Sequence, residues 1–350
     1  MALLYFSFVI LLFIPLPRYI RAGQEPDSQY LSKPASLPIK GLSVILVFFR
    51  HFAQYITLSD SPLDRIFLFM DRNSGQLIVT MFLFYSGFGI YESIKKQGSS
   101  YISGFLKKRF LPVWIQFAAC LCLFLIYDLV TGQQLDPVTV LLSFTGWTDI
   151  GNSNWFMFVT FVLYFLVFFS FIRFTGKSGQ KKLPPLLIFT FFTLAAAFIL
   201  HLTKPSVWYD TILCFPAGMW LSFYRDRIDN LLKKHYGSVL VAVIAAFIIA
   251  FIMTSKINPV FYCLYSVCFA LLVIVITVRI RFRSPVLCFF GSHVFSIYIL
   301  QRIPMDAFRN VFGNNYLHFF ASFAVTVIAA VAFDYIAGKL RSRISKRNAK

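Results

Sequence analysis

Apolar runs of 16 to 23 residues recur along this chain, parted by short polar and basic stretches. Eleven stand out, at approximately 2–17, 41–58, 75–92, 110–131, 154–174, 184–202, 207–224, 237–254, 258–279, 285–302 and 316–338. Most approach the roughly 20 residues that a helix needs to cross a hydrocarbon core. The pattern predicts an all-α, polytopic transmembrane helix bundle with ten core helices over 37–340. A hydrophobic segment and linker at 1–36 precede it, and a basic tail at 341–350 follows. The longest polar stretch, Arg18–Lys40, is too short to fold as a separate soluble domain and reads as a linker or surface element.

The connections between spans are short except at 59–74, 132–153 and 303–315, which hold Asp60, Asp64, Asp71, Asp136, Asp149, Asn152, Asp306 and Asn314. They read equally as the mouth of a site or as plain connectors. No internal repeat is visible, so the inverted-repeat plan of many transporters is not indicated. The first segment lacks a basic n-region and ends in Pro15 and Pro17. It reads as an uncleaved extra span, with a re-entrant or interfacial segment as the alternative.

Composition turns this pattern into a class. Hydrophobic residues make up 58% of 350 and charged residues 13%, against about 45–50% and 25% in soluble domains. The chain reads as an integral membrane protein. The net charge of +19 invites a nucleic-acid partner, but the placement of the charges excludes it. Numbering the loops alternately puts 26 Lys and Arg on one side and 6 on the other, with Arg50 inside a span. The positive-inside rule then makes the C-terminus and the linker before Lys40 cytoplasmic. The expected location is a multi-pass cell membrane, the bacterial cytoplasmic one. Oligomeric state is open.

The six cysteines all fall within apolar spans and read as packing residues. No disulfide framework, zinc spacing, Walker loop, HExxH or GxSxG motif is present, and no metal site is expected. Four histidines, His201, His235, His293 and His318, carry no metal-ligand spacing. Glu92, Asp128 and Asp334 are candidate partners for basic groups at cytoplasmic helix ends.

The chemistry concentrates where Lys40-Gly41 leads through an apolar run to Arg50-His51. Ionisable groups inside a span are costly and mark functional sites. Eleven helical residues turn through about 1100° and rise roughly 16 Å, so Lys40 at the membrane edge and His51 near mid-bilayer share a helix face. Neutral imidazole is the best side-chain base near pH 7. Arg50 is turned about 100° from His51; it either tunes His51 or pairs across to another helix. Further along stand Phe84-Tyr85-Ser86-Gly87-Phe88, where Ser-Gly alone reads as a small-residue packing notch. The basic cluster Lys107-Lys108-Arg109 is explained by topology, yet it offers donors to a phosphate-bearing cytosolic ligand. Asn152-Ser153-Asn154-Trp155-Phe156 enters a span with an interfacial Trp.

Taken in order, these pieces resemble the membrane acyltransferase 3 family, which O-acylates sugars and other cell-envelope molecules. The family's Arg-Gly with a histidine eleven residues after the arginine is matched by Lys40-Gly41 and His51. Its Phe-rich Ser-Gly-Phe helix is matched by Phe84 to Phe88, and its cytoplasmic basic entry by Lys107-Lys108-Arg109-Phe110-Leu111-Pro112. Trp155-Phe156 and the Gly291 to Tyr298 stretch match two later helices, so the resemblance spans roughly residues 37–340. It implies transfer of an acyl group, acetyl in the first instance, from acyl-CoA to a hydroxyl of an envelope glycan or lipid-linked sugar, with no bound cofactor. His51 would deprotonate the hydroxyl. Lys40, Arg50 and Lys107, Lys108 and Arg109 would hold the donor's phosphates or orient the site, and Tyr85, Ser86, Asn154 and Trp155 would bind substrate.

The chain departs from the family at Lys40, where arginine is usual, which keeps charge and loses bidentate geometry. It has Gln301 where many members have histidine, and Pro112 breaks an Arg-x-x-Arg pair. The competing classes are a transporter or flippase using Arg50 and His51 as an ion relay, and an inactive scaffold.

Overall fold

The computed structural model describes residues 29–58, 60–173 and 183–347, the dipeptide Arg18–Tyr19, and isolated positions 4, 6, 7 and 10. The expected first span, 2–17, therefore falls largely outside the described residues. Apart from a two-residue antiparallel pairing of Arg18–Tyr19 (β1) with Ile280–Arg281 (β2), the regular structure described is helical. The helices are α1 Lys33–Phe52, α2 Pro62–Ser74, α3 Leu77–Gln97, α4 Ser99–Ser103, α5 Leu111–Thr131, α6 Pro137–Ser143, α7 Trp155–Phe171 and α8 Leu183–Thr203. They continue as α9 Cys214–Phe223, α10 Arg225–Lys256, α11 Tyr262–Thr277, α12 Pro285–Ser292, α13 Val294–Leu300, α14 Arg302–Ala307 and α15 Asn315–Arg347. A π-helical turn, Leu106–Phe110, leads into α5.

Each of the ten expected core segments holds a helix or a helix pair, and the protein is a polytopic all-α bundle. Six described stretches are long and apolar enough to cross a membrane, and a seventh forms if α12 and the segment Val294–Ala307, bent by 66°, count as one. Exposed apolar side chains lie on the peripheral helices, such as Leu129 on α5, Phe191 on α8, Val241 on α10 and Ile328 on α15. Such surfaces suit lipid.

Several boundaries differ from the sequence reading, each for a local reason. Helix α1 starts eight residues before the expected span because Ser32 caps it, accepting from the Ala35 amide, with Pro34 in the first turn. Lys40 consequently lies about 10 Å inside the helix, not at its mouth. The expected span 207–224 is a ten-residue helix, α9, behind a short 3-10 turn at Ser206–Trp208. At about 15 Å α9 is too short to cross a bilayer. The long connections are also structured. Helix α2 occupies 62–74, α6 lies within 132–153, and α14 begins the last one. After α6 the chain folds back along α5, so that Trp114 in its first turn donates to the Phe144 carbonyl at 3.0 Å. Asp128 lies at the far end of α5 from the basic cluster, so it does not partner basic groups as expected.

Two helix crossings set the interior. A Cβ on Gly41 of α1 would land on the Leu287 carbonyl oxygen of α12, and one on Gly291 would land on the Leu37 carbonyl oxygen. The same reciprocal contact joins α3 to α9, where Gly87 meets the Phe215 carbonyl and Gly218 meets the Phe84 carbonyl. Only hydrogen fits at such approaches, which is how small residues bring apolar helices together in lipid. Gly41 therefore holds Lys40 against the break after α12, and Gly87 fixes where Ser86 points.

Candidate active site

Two cavities lie on either side of Tyr298. The first, about 290 Å³, is lined by Lys40, Ser86, Thr160, Tyr164 and Ser292 among Phe82, Phe156 and Phe295. The second, about 220 Å³, is lined by Arg50, His51, Gln54, Gln76, Ser153, Trp155 and Arg302. Tyr298 lines both. Its ring sits 5.5 Å from that of Phe156, and its hydroxyl donates to the Ser153 carbonyl at 3.2 Å. Trp155 and Phe156, consecutive at the start of α7, face different cavities. This aromatic pair, Tyr298 and Phe156, forms a partition inside the bundle. The first cavity lies toward the helix ends that carry Lys33, Lys95 and Lys107–Arg109, here called the basic face. The second lies toward the connections at 53–61, 144–154 and 301–314, the loop face.

Lys40 and His51 therefore share α1 but serve different cavities, three turns apart. Lys40 is half-buried, and among the described residues no carboxylate pairs with it; its ammonium lies 5.3 Å from the centre of the Tyr85 ring. The Tyr85 hydroxyl is sealed in the interior without a partner, so Tyr85 supports Lys40 rather than facing either cavity. Ser86 opens on the Lys40 cavity, with its Oγ 3.5 Å from the Tyr164 hydroxyl. Lys40 and the Ser86 and Tyr164 hydroxyls are donors suited to an oxyanion, whereas Thr160 Oγ1 donates to the Phe156 carbonyl at 2.8 Å and Ser292 Oγ to the Phe289 carbonyl at 2.7 Å.

His51 is 8% exposed and touches Gln301, which is wholly buried. The two meet at 2.9 Å between Gln301 Nε2 and His51 Nδ1. The same amide nitrogen donates to the Tyr298 carbonyl at 3.0 Å, and a carbonyl can only accept. The amide orientation is thereby fixed, Nδ1 of His51 is the acceptor, and the neutral ring carries its proton on Nε2. Nε2 has no protein partner and is not among the sealed polar atoms, so it is the nitrogen turned to the cavity.

The remaining expected residues separate into those the fold brings together and those it does not. Arg50 lines the cavity with His51, but its NH1 is held by Asp71 of α2, 3.1 Å from Oδ2 and 2.6 Å from the backbone carbonyl. It pairs across to another helix. Trp155 lines the loop-face cavity. Asn154 does not; its amide donates to the Ser143 and Thr148 carbonyls at 3.2 and 2.6 Å and fastens the folded-back loop. Lys107, Lys108 and Arg109 are exposed on the π-helical turn and line neither cavity. Arg109 donates to the Tyr101 hydroxyl at 3.0 Å, and its charge acts on Tyr164.

The sequence reading missed Tyr298, Tyr164, Ser153 and Arg302 as site residues. Gln301 had one signal, its place where relatives carry histidine; Arg302 had only its position on the charge-poor side. His293, Asp334 and Ser296 also converge, with Asp334 taking His293 Nδ1 and Ser296 Oγ, each at 2.5 Å. Because Asp334 stands between them, the serine is not activated by the histidine; the cluster pins the break between α12 and α13. Among the described residues no group of three or more His, Cys, Asp or Glu could hold a metal.

Residues 39–335 match the family profile described as an acyltransferase domain. The match takes in both cavities and every residue of the partition. No curated protein and no solved structure matches the chain.

Proposed function

Because the chain belongs to the acyltransferase 3 family, we propose that it moves an acyl group, acetyl in the first instance, from acyl-CoA to a hydroxyl of a cell-envelope glycan or lipid-linked sugar. The observation that carries this reading is the pair of cavities meeting at Tyr298. One is largely apolar with a half-buried lysine and the Ser86 and Tyr164 hydroxyls, and the other is polar with an open imidazole. A donor and an acceptor arriving from opposite faces need such a pair.

The donor enters from the basic face, which the charge bias makes cytoplasmic. A cavity of about 290 Å³ holds the acyl-pantetheine arm but not the whole coenzyme. The nucleotide phosphates stay outside, where the exposed Lys107, Lys108 and Arg109 supply charge. Lys40, Ser86 and Tyr164 line the path of the thioester and stabilise its developing oxyanion. On the loop face the acceptor hydroxyl meets His51. The hydroxyl oxygen attacks the thioester carbonyl as His51 takes the hydroxyl proton, the C–S bond breaks, and that proton passes on to the leaving sulfur so that the coenzyme departs as its thiol. For His51 to accept at Nε2, its ring proton moves to Nδ1 and the Gln301 amide gives up its bond to the Tyr298 carbonyl to offer Oε1 to that proton. Oε1 is buried without a partner in the present arrangement. The Tyr298–Phe156 partition moves aside as the acyl group passes.

The relay reading loses a cation, since Arg50 is neutralised by Asp71. The test is acyl transfer from labelled acetyl-CoA in membranes, read as a mass shift of envelope glycans. His51→Ala at normal protein level should lower transfer by about 10²–10⁴. Transfer at the wild-type level in that variant would remove His51 from the reaction, and an unmodified solute crossing the membrane would favour the transporter class.

A further inference from the structure

The loop-face cavity carries a positive charge that the protein does not neutralise. Arg50 has Asp71, but Arg302 meets only neutral oxygens. Its NH2 donates to Gln54 Oε1 at 2.8 Å and its NH1 to the Tyr55 hydroxyl at 3.4 Å. Its Nε is sealed without a partner. No carboxylate lines the cavity. Asp306, one turn further along α14, takes the Tyr127 hydroxyl at 2.9 Å, and among the described residues no acid lies within bridging distance of Arg302. The groups beside it are Gln301, wholly buried, and His51, more than nine-tenths buried with Nε2 open to the same space.

Arg302 is half-buried, with Nε sealed and NH2 reaching solvent, and a guanidinium that lines a cavity without a counter-charge favours a ligand that brings an anion. Its planar fork fits a carboxylate or a phosphate through two parallel hydrogen bonds. Gln54 and Tyr55 lie on the stretch that follows α1 and hold that fork in place next to His51.

We propose that the loop-face cavity takes an acceptor bearing an anionic group, and that Arg302 grips that group while a nearby hydroxyl meets His51. The volume of about 220 Å³ leaves room for one sugar unit at a time. The anion is either the carboxylate of an acidic sugar or the phosphate of a lipid-linked one. Only the naming of the bound molecule as acceptor rests on the acyl-transfer reading; the preference for an anion does not.

The experiment is calorimetric titration of the purified full-length protein in nanodiscs. The probes are methyl galacturonide, its neutral counterpart methyl galactoside, and galactose 1-phosphate. The expected result is that at least one anionic probe binds about tenfold or more tightly than the neutral one, with the preference weakening as salt rises. Tighter galacturonide binding identifies an acidic sugar, and tighter phosphate binding identifies a lipid-linked phosphate. Arg302→Gln should abolish the preference and Arg302→Lys should keep part of it, with thermal unfolding of both variants confirming that they are folded. Equal binding of charged and neutral probes, no binding of any probe, or a preference that survives Arg302→Gln in folded protein overturns the proposal. Anion-selective binding together with absent acyl transfer would overturn the acyl-transfer reading and leave this site standing.

Discussion

A neutral imidazole has one nitrogen that donates and one that accepts, and its neighbours decide which is which. At His51 the decision belongs to Gln301, whose amide is oriented in turn by the Tyr298 carbonyl. With the proton on Nε2 the ring holds an acceptor oxygen; with the proton on Nδ1 it is a base. Gln301→Glu in its ionised form supplies only acceptors, so it should place a proton on Nδ1 of His51. Carbon and nitrogen NMR shifts of labelled histidine, with His51→Ala used for assignment, distinguish the two forms. A wild-type ring already protonated at Nδ1 would contradict the wiring described here. The sequence exposed Lys40 and His51 because charge inside an apolar run is conspicuous. It hid Gln301 and Arg302 because the partner of Gln301 lies 250 residues away, and a polar residue at the end of a late span has many ordinary explanations. Asn154 shows the reverse error: a polar side chain beside a site can spend its donors on backbone carbonyls.

Among the helices, the long apolar segments were readable because composition alone nearly dictates them. The short elements were not, since α9 and the folded-back loop after α6 have the composition of a span or a connector and differ only in what they pack against. The two glycine crossings explain why Lys40-Gly41 and Ser86-Gly87 each pair a cavity-lining residue with a packing one. Gly41→Ala and Gly87→Ala each push a methyl group into a backbone carbonyl, and overpacking of this kind typically costs about 1–3 kcal/mol or more. Both variants should lower the unfolding temperature and the monodisperse fraction in detergent. Gly89→Ala, which meets nothing within 4 Å, should leave both unchanged. Equal behaviour of Gly87→Ala and Gly89→Ala would show that α3 and α9 are not in contact as described. At the other break, Asp334→Leu leaves His293 and Ser296 without their shared acceptor. Losing hydrogen bonds of this type typically costs about 1–3 kcal/mol, and the thermal unfolding temperature should fall accordingly.

Across the whole molecule, the proposed transfer between two faces depends on a wall that holds until the reaction needs it. Tyr298 is that wall on one side and Phe156 on the other, with the tyrosine hydroxyl tied to the Ser153 carbonyl. With the donor thioester placed in the Lys40 cavity as proposed, removing the wall lets water from the loop-face cavity reach it. Tyr298→Ala should therefore release coenzyme A from acyl-CoA in the absence of any acceptor, by hydrolysis to the free acid and the thiol, while transfer to the acceptor falls. Tyr298→Phe keeps the ring and loses only the bond to Ser153, so it should show little uncoupled release. Colorimetric detection of the thiol, run with and without acceptor on folded protein, separates these outcomes. If Tyr298→Ala loses transfer and gains no acceptor-independent thiol release, the two cavities do not serve donor and acceptor. Thiol release by Tyr298→Ala matched in full by Tyr298→Phe would place the barrier in the hydrogen bond to Ser153 and not in the paired rings.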